Sequence, residues 1–272
     1  MEFFDRVAEL FAEAWLYNFT FDLGRYLVAA PIAFLLIHTL CRPFFIQRRI
    51  QARQAGAADI RRELRVSVIA ALVFSTVGVA VFAGIQAGVV KAYSSATIDP
   101  LTIALGFVAS VIGHDAYFYW THRAMHHPRL FRLVHRAHHR SRAPTAFAAY
   151  AFGPLEAVVQ SLYLPLFLLV VPLDSVTIFL FLTHMIVRNA IGHSGHEWFP
   201  SGMVGSRWFG WITAVTHHDL HHEHGGANYG LYFTWWDRWM GTEHPDYRQR
   251  FDAVTQPDRG PPVIAVPVEA KS

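Results

Sequence analysis

His122-Arg-Ala-Met-His126-His127, His135-Arg-Ala-His138-His139 and His217-His218-Asp-Leu-His221-His222 decide how this chain reads, with His193-Ser-Gly-His196-Glu197 between the last two. Of the 17 histidines, 16 lie after residue 113, so they gather in one half of the sequence. On a helix, residues three and four apart share a face. His122 and His126 are four apart; His135, His138 and His139 stand at i, i+3 and i+4, as do His218, His221 and His222. Each cluster can therefore aim two or three imidazoles at one point, and neutral imidazole is a ligand for iron, zinc, copper and nickel. A lone pair of this kind is more often an ordinary polar helix face. Several of them between residues 122 and 222, beside long apolar runs, point to a metal site. The candidates exceed the four ligands that a tetrahedral zinc takes, and two ions sharing the set is the simpler arithmetic. Cys41, the single cysteine, supplies neither a disulfide framework nor an iron–sulfur cluster held by this chain.

Working outward, 53% of the 272 residues are hydrophobic and 16% are charged, with a mean hydropathy of +0.25. So low a charged fraction marks a membrane protein. The net charge of +3 and pI of about 9.1 come partly from arginine-rich loops, which suit a cytoplasmic membrane face and not nucleic acid. Residues 1–15 carry Glu2, Asp5, Glu9 and Glu13, so no cleavable signal is read there.

In chain order, residues 1–22 read as an amphipathic interfacial helix, with Phe3, Phe4, Val7, Leu10, Phe11, Ala14 and Trp15 at helical spacing. Residues 23–99 read as the N-terminal transmembrane helices (spans at 23–40 and about 66–90) and a basic loop between them. That loop carries Arg42, Arg48, Arg49, Arg53, Arg61, Arg62 and Arg65 and is assigned to the cytoplasm. A third span, about 101–119, delivers His122 as it emerges. Arg123, Arg129, Arg132, Arg136, Arg140 and Arg142 then accompany the histidines. The apolar block 155–191, interrupted at Pro172, Asp174 and Ser175, reads as a transmembrane hairpin that returns His193 to the same face. The proline-rich residues 256–272 read as a disordered tail. The expected architecture is an all-α integral membrane protein of about four to five transmembrane helices with a cytoplasmic histidine-rich helical cap. The arginines alone set this orientation, and it brings every histidine cluster to one face.

The chain resembles the fatty acid hydroxylase / sterol desaturase superfamily over about residues 100–244. Asp115-Ala-Tyr-Phe-Tyr-Trp-Thr-His122-Arg-Ala-Met-His126-His127 looks like the first histidine box, and His135-Arg-Ala-His138-His139 before Pro144-Thr-Ala-Phe like the second. His193-Ser-Gly-His196-Glu197 is similar to the third element. His218-Asp-Leu-His221-His222, with Asn228-Tyr229-Gly230, Trp236-Asp237 and Gly241-Thr242 behind it, looks like the last box and its trailer. One departure stands out: where many members carry His-Pro-x-Glu, this chain reads Gly153-Pro154-Leu155-Glu156, and His196 is a candidate substitute for the missing histidine.

The resemblance implies a membrane-bound di-iron oxygenase that hydroxylates or desaturates an unactivated C–H bond of a lipid, using O2 and external electrons. The metal ligands it implies are His122, His126, His135, His138, His139, His193, His196, His218, His221 and His222, with His217 a lesser candidate. Metal-bound histidines usually donate their second N–H to a carboxylate or carbonyl, and Asp115, Glu197, Asp219, Asn228 and Asp237 are the expected acceptors; Asp115 and Asp237 could instead cap helices or pair with Arg123 or Arg238. His114, His127, His184 and His224 are expected to serve structure or line a channel, and His244 to lie at the surface. Two iron ions are the expected cofactor, with zinc able to replace them in purified protein. With no flavin, haem or iron–sulfur motif, electrons must come from a cytochrome or ferredoxin type of donor. The competing readings are a histidine-rich metal transporter and a zinc-dependent membrane hydrolase. The first would place ligands near mid-bilayer; the second lacks HExxH and has too many ligands.

Overall fold

The computed structural model describes residues 2–94 and 99–256, with residues 2–8 as backbone alone. Its elements are almost all helical. They are α1 (Glu2–Leu35, running into a π-turn at Leu36–Leu40), α2 (Arg42–Phe45), α3 (Ala57–Gln86), α4 (Pro100–Met125), α5 (Pro128–Val134), α6 (Pro154–Ser161), α7 (Tyr163–Val170), α8 (Ser175–Gly192), α9 (Val215–His224), α10 (Trp235–Trp239) and α11 (Tyr247–Thr255). Two short strands, β1 (Ala92–Tyr93) and β2 (Leu173–Asp174), pair in parallel.

Among the described residues, four helices are long and apolar enough to cross a membrane: Glu9–Leu40, Ala57–Gln86, Pro100–Met125 and Ser175–Gly192. Their outward faces are apolar as well. Leu27, Val28 and Ile32 on α1, Val68, Ile69 and Leu72 on α3, and Leu101, Leu105 and Val108 on α4 are exposed. Helices apolar on both faces suit a surrounding of lipid tails, where every backbone group must be satisfied within the protein. This is an all-α, multi-pass membrane protein. The first arm of the expected hairpin, a short span at about 155–171, is divided into the two helices α6 and α7.

One difference from the sequence reading lies at the N-terminus. The surface helix and the first span, divided at residues 22 and 23, form one unbroken helix of 34 residues. No capping residue halts it, and Gly24 and Pro31 are both accommodated within it. The tail expected over 256–272 lies outside the described residues, save Gln256.

The helix ends are set by local chemistry. Asp99 accepts from the amides of Leu101 and Thr102, with Pro100 in the first turn of α4. Asp174 caps α8 through the amide of Val176. The β1–β2 pair ties the turn after α3 to the turn before α8, at the end of the bundle away from the histidines.

The core lies where α1, α3 and α8 surround the 3-10 turn Ala146–Tyr150. Small residues dominate there: Ala30, Ala33, Ala70, Ala146 and Ala149 are buried and let the backbones approach closely. The irregular backbone is satisfied by side chains. Tyr26 Oη (2.9 Å) and Ser67 Oγ (3.1 Å) donate to the Phe147 carbonyl, and Asn189 Nδ2 donates to that of Ala149 (2.5 Å). That turn follows the second histidine cluster directly, so the core fixes where His135–His139 sit.

The loop after α2 closes the histidine end. Ile50 N donates to the Gly195 carbonyl, Glu197 N to the Arg48 carbonyl, and Arg48 Nη1 to the carbonyl of Phe199 (2.7 Å).

Candidate metal centre

Four segments deliver nine imidazoles to one region. α4 contributes His122, with His126 just beyond its last turn. The α5 C-terminus and following turn contribute His135, His138 and His139, the end of α8 contributes His193, and α9 contributes His218, His221 and His222. The rings sort into two groups, each with its potential ligand atoms within 4.8 Å of one another. His122, His126, His135, His139 and His221 form one, and His138, His193, His218 and His222 the other. In the first, Nε2–Nε2 distances are 3.0 Å for His122–His135 and 3.1 Å for His126–His221, His139–His126, His139–His135 and His139–His221. In the second they are 3.0 Å for His218–His193 and 3.2 Å for His193–His138 and His222–His218. The groups touch, with the His139 and His222 rings 5.0 Å apart.

The Nδ1 atoms fix what those Nε2 atoms are. His122 Nδ1 faces the Tyr229 carbonyl (2.9 Å), His138 Nδ1 that of Ala151 (3.3 Å), His193 Nδ1 that of Asn189 (2.8 Å), and His221 Nδ1 that of Ala227 (2.6 Å). A carbonyl only accepts, so each Nδ1 carries the hydrogen. In a neutral ring, Nε2 is then a bare lone pair. His138 and His193 thus point two lone pairs at each other across 3.2 Å, an arrangement that repels unless a cation lies between them.

Protonation does not relieve the clash. Burial, reinforced for most of these rings by neighbouring imidazoles, holds His135, His138, His139, His218, His221 and His222 well below the usual imidazole range. Burial alone lowers His126 to about 4, and it is the main cause of the same value at His193. The donor set of neutral nitrogens, in two groups of four and five, fits two transition-metal ions.

α9 is the unusual element. Its residues Val215–His222 are all buried although most are polar. The helix starts against Glu197, whose carboxylate accepts from Thr216 N (2.8 Å), Thr216 Oγ1 (2.7 Å) and Val215 N (3.4 Å). A carboxylate at a helix N-terminus meets both the free amides and the positive end of the dipole. The helix stops at Gly225, whose φ of +74° is the left-handed conformation that favours glycine.

None of the expected acceptors of imidazole N–H bonds faces a ring of either group. Asp115 accepts from the amides of Tyr232 and Phe233, Glu197 caps α9, and Asp219 accepts from Gln51 Nε2 (2.8 Å). Asn228 bridges the His217 carbonyl and the His244 amide. Asp237 accepts from the amides of Tyr229 and Gly230 and from Thr242 Oγ1, holding the loop whose carbonyl orients His122. It also lies 3.3 Å from His217 Nε2, so His217 faces Asp237 and belongs to neither group. The carboxylate that does hold a clustered ring is Glu156, 2.7 Å from His135 Nδ1 and fully buried with it. Glu156 stood in plain view as a lone acid in an apolar run, which is the signal that could have singled it out.

His196 stands apart from both groups. Its Nδ1 faces the Ser194 carbonyl, and its ring packs on His38 and Phe45. Gly153 opens α6 against the turn that carries the second cluster. A Cβ there would sit 3.3 Å from Ala137 Cβ, so any side chain at this position asks that neighbour to give by a few tenths of an ångström. Of the other histidines, His127 Nδ1 caps α5 through the Arg129 amide, His114 bonds Tyr232 Oη (3.0 Å), His184 packs on Tyr232, and His224 stacks on His244.

Beneath the histidines lies an apolar cavity of about 1070 Å³. Phe118 and Phe152 line it and also rest on the site, at 4.9 Å from the His122 ring and 5.1 Å from the His138 ring.

A fatty acid hydroxylase family model matches residues 107–242, which contain all nine clustered histidines. The chain is 34% identical over 142 residues to a Delta(7)-sterol 5(6)-desaturase of Gibberella zeae, covering 52% of this chain and 42% of that protein. It is 27% identical over 253 residues to a Delta(7)-sterol 5(6)-desaturase of Aspergillus fumigatus, covering 91% and 70%. It is 28% identical over 219 residues to human lathosterol oxidase, covering 79% and 72%. No solved structure matches the chain. The histidine clusters, the helical membrane bundle and the matched half of the sequence agree: this chain belongs to the fatty acid hydroxylase / sterol desaturase superfamily.

Proposed function

We propose that this protein is a membrane oxidoreductase that hydroxylates or desaturates a lipid C–H bond, with two iron ions held by the nine clustered histidines. The observation that carries the reading is the pair of facing lone pairs at His138 and His193, echoed in the other group by His122 and His135, whose Nδ1 atoms face the Tyr229 carbonyl and Glu156. When bound, a pair of irons supplies the O2-dependent oxidation that breaks an unactivated C–H bond.

The chain's own residues do the rest. His122, His126, His135, His139 and His221 would hold one ion, and His138, His193, His218 and His222 the other. Glu156 and the carbonyls of Tyr229, Ala151, Asn189 and Ala227 keep five of these rings, His135, His122, His138, His193 and His221, turned inward with Nδ1 protonated. The apolar cavity would hold the hydrocarbon, with Phe118 and Phe152 steering one carbon toward the histidines and excluding water. The relatives' names point to a sterol or a similarly bulky lipid as substrate.

We assign the histidine end to the cytoplasmic face because the arginines cluster there. Arg123, Arg129, Arg132, Arg136, Arg140 and Arg142 are exposed around the site, beside the half-buried His126 and His139. That basic rim suits an acidic electron donor of cytochrome or ferredoxin type. Both histidine groups lie at one end of the bundle, where a transporter would need ligands along a path across it.

The test is lipid profiling of a host that makes the wild-type chain or its His221→Ala variant. The reading requires an oxidised lipid, carrying a new hydroxyl or double bond, that appears with wild type and vanishes with the variant. Identical lipid profiles from the two would overturn it.

A further inference from the structure

Arg25 lies within the apolar first span, and its side chain is only 9% exposed. Its Nη2 bonds Asp22 one turn earlier, and its guanidinium lies over the Phe21 ring at 4.9 Å from the centroid. The other two nitrogens, Nε and Nη1, are buried and have no hydrogen-bond partner among the described residues. Buried guanidinium donors left unmade cost free energy that no packing returns. An ionisable pair inside a membrane span is likewise retained against its desolvation cost.

Both Arg25 and Asp22 line the cavity under the histidines, as do Tyr150 and Phe152. A second, lipid-facing groove of about 670 Å³ runs between α1 and α8 and shares Tyr17, Phe21, Arg25 and Phe179 with that cavity. Arg25 therefore stands at the margin common to both.

We propose that Arg25 reads the polar end of the lipid substrate. Its free Nε and Nη1 donate to a neutral acceptor oxygen, a hydroxyl or a carbonyl, while the hydrocarbon extends toward Phe118 and Phe152. This rests on the lipid-oxidation reading above. The charge count selects neutral oxygen. Asp22 already balances Arg25, so an anionic headgroup would bring an unbalanced charge into an apolar cavity, whereas a hydroxyl brings none. Gln160, one turn beyond Glu156 on α6, also turns an unpartnered Nε2 toward the same cavity and provides the internal comparison.

The test measures equilibrium binding of three probes to the full iron-loaded chain in phosphatidylcholine nanodiscs. The probes are cholesterol, its deoxy analogue cholestane and the anionic cholesteryl sulfate. Wild type is expected to bind cholesterol at least about tenfold more tightly than cholestane, the size of a hydrogen bond to a charged donor. Arg25→Met should bring cholesterol down to the cholestane level and leave cholestane unchanged. Asp22→Asn should shift preference toward cholesteryl sulfate by exposing an unbalanced guanidinium. Iron content per chain reports that each variant is folded. If Arg25→Met loses iron, Arg25→Lys takes its place, keeping the charge but not the Nε donor, with an expected drop in cholesterol preference of about threefold or more. Equal binding of cholesterol and cholestane by wild type overturns the proposal. So does discrimination that survives at Arg25 and disappears with Gln160→Leu. Binding needs no turnover, so these outcomes are read separately from whether wild type oxidises any lipid.

Discussion

Glu156 is the residue on which one ring of the first group turns. Its Oε1 holds His135 Nδ1 at 2.7 Å, and its other oxygen has no partner among the described residues. Glu156→Gln keeps the shape and weakens the pull on that hydrogen, so iron affinity and lipid oxidation should fall roughly ten- to a hundred-fold while the fold persists. Metal titration of the purified variant checks this. His196 provides the opposite case: His196→Ala should retain the iron content of wild type, since its ring packs on His38 and Phe45, whereas His138→Ala should lose iron. Helical spacing made His218, His221 and His222 legible on one face of α9, whereas His135, His138 and His139 converge from a turn and His193 joins without its i+3 neighbour His196. The partners of the rings were not legible. Four of the five Nδ1 partners are backbone carbonyls, which every residue carries and no sequence pattern distinguishes. The acids next to the histidines drew attention for proximity in sequence, yet Glu197 caps a helix and Asp115 and Asp237 gather loop amides.

α9 shows why an element of this composition can be buried. Ten residues long and rich in histidine, it has little apolar surface to offer, and it is held by its ends and by what its rings face. Glu197→Ala would leave the amides of Val215 and Thr216 and the Thr216 hydroxyl without their acceptor. Each such loss costs about 1–3 kcal/mol, so a fall in thermal midpoint and loss of iron from the group containing His218 and His222 are expected together. A variant that kept its midpoint would remove Glu197 from this role. At the opposite end of the bundle the hairpin turn was legible from Pro172 and Asp174. The unbroken α1 was not, because its early acids suggested a water-facing stripe and no stop signal marks where interface becomes span.

For the whole molecule, the two groups act as struts between segments far apart in sequence. His122 on α4 joins the first group, while His193 after α8 and His218 on α9 join the second, so each group gathers segments far apart in sequence. With no cation, the neutral lone pairs of His138 and His193 would face each other at 3.2 Å, and those of His122 and His135 at 3.0 Å, forcing these segments apart. Chelation should therefore lower the thermal midpoint and loosen the histidine end, while readdition of iron restores both. Differential scanning of detergent-solubilised protein with and without chelator is the check, and unchanged midpoints would argue that packing alone holds the cap. The most direct measurement of the central claim is the iron content of the purified chain after growth and reconstitution with iron. Two ions per chain are predicted, falling in His138→Ala and in His221→Ala but not in His196→Ala. One ion or none per chain, or a content indifferent to those histidines, would contradict it.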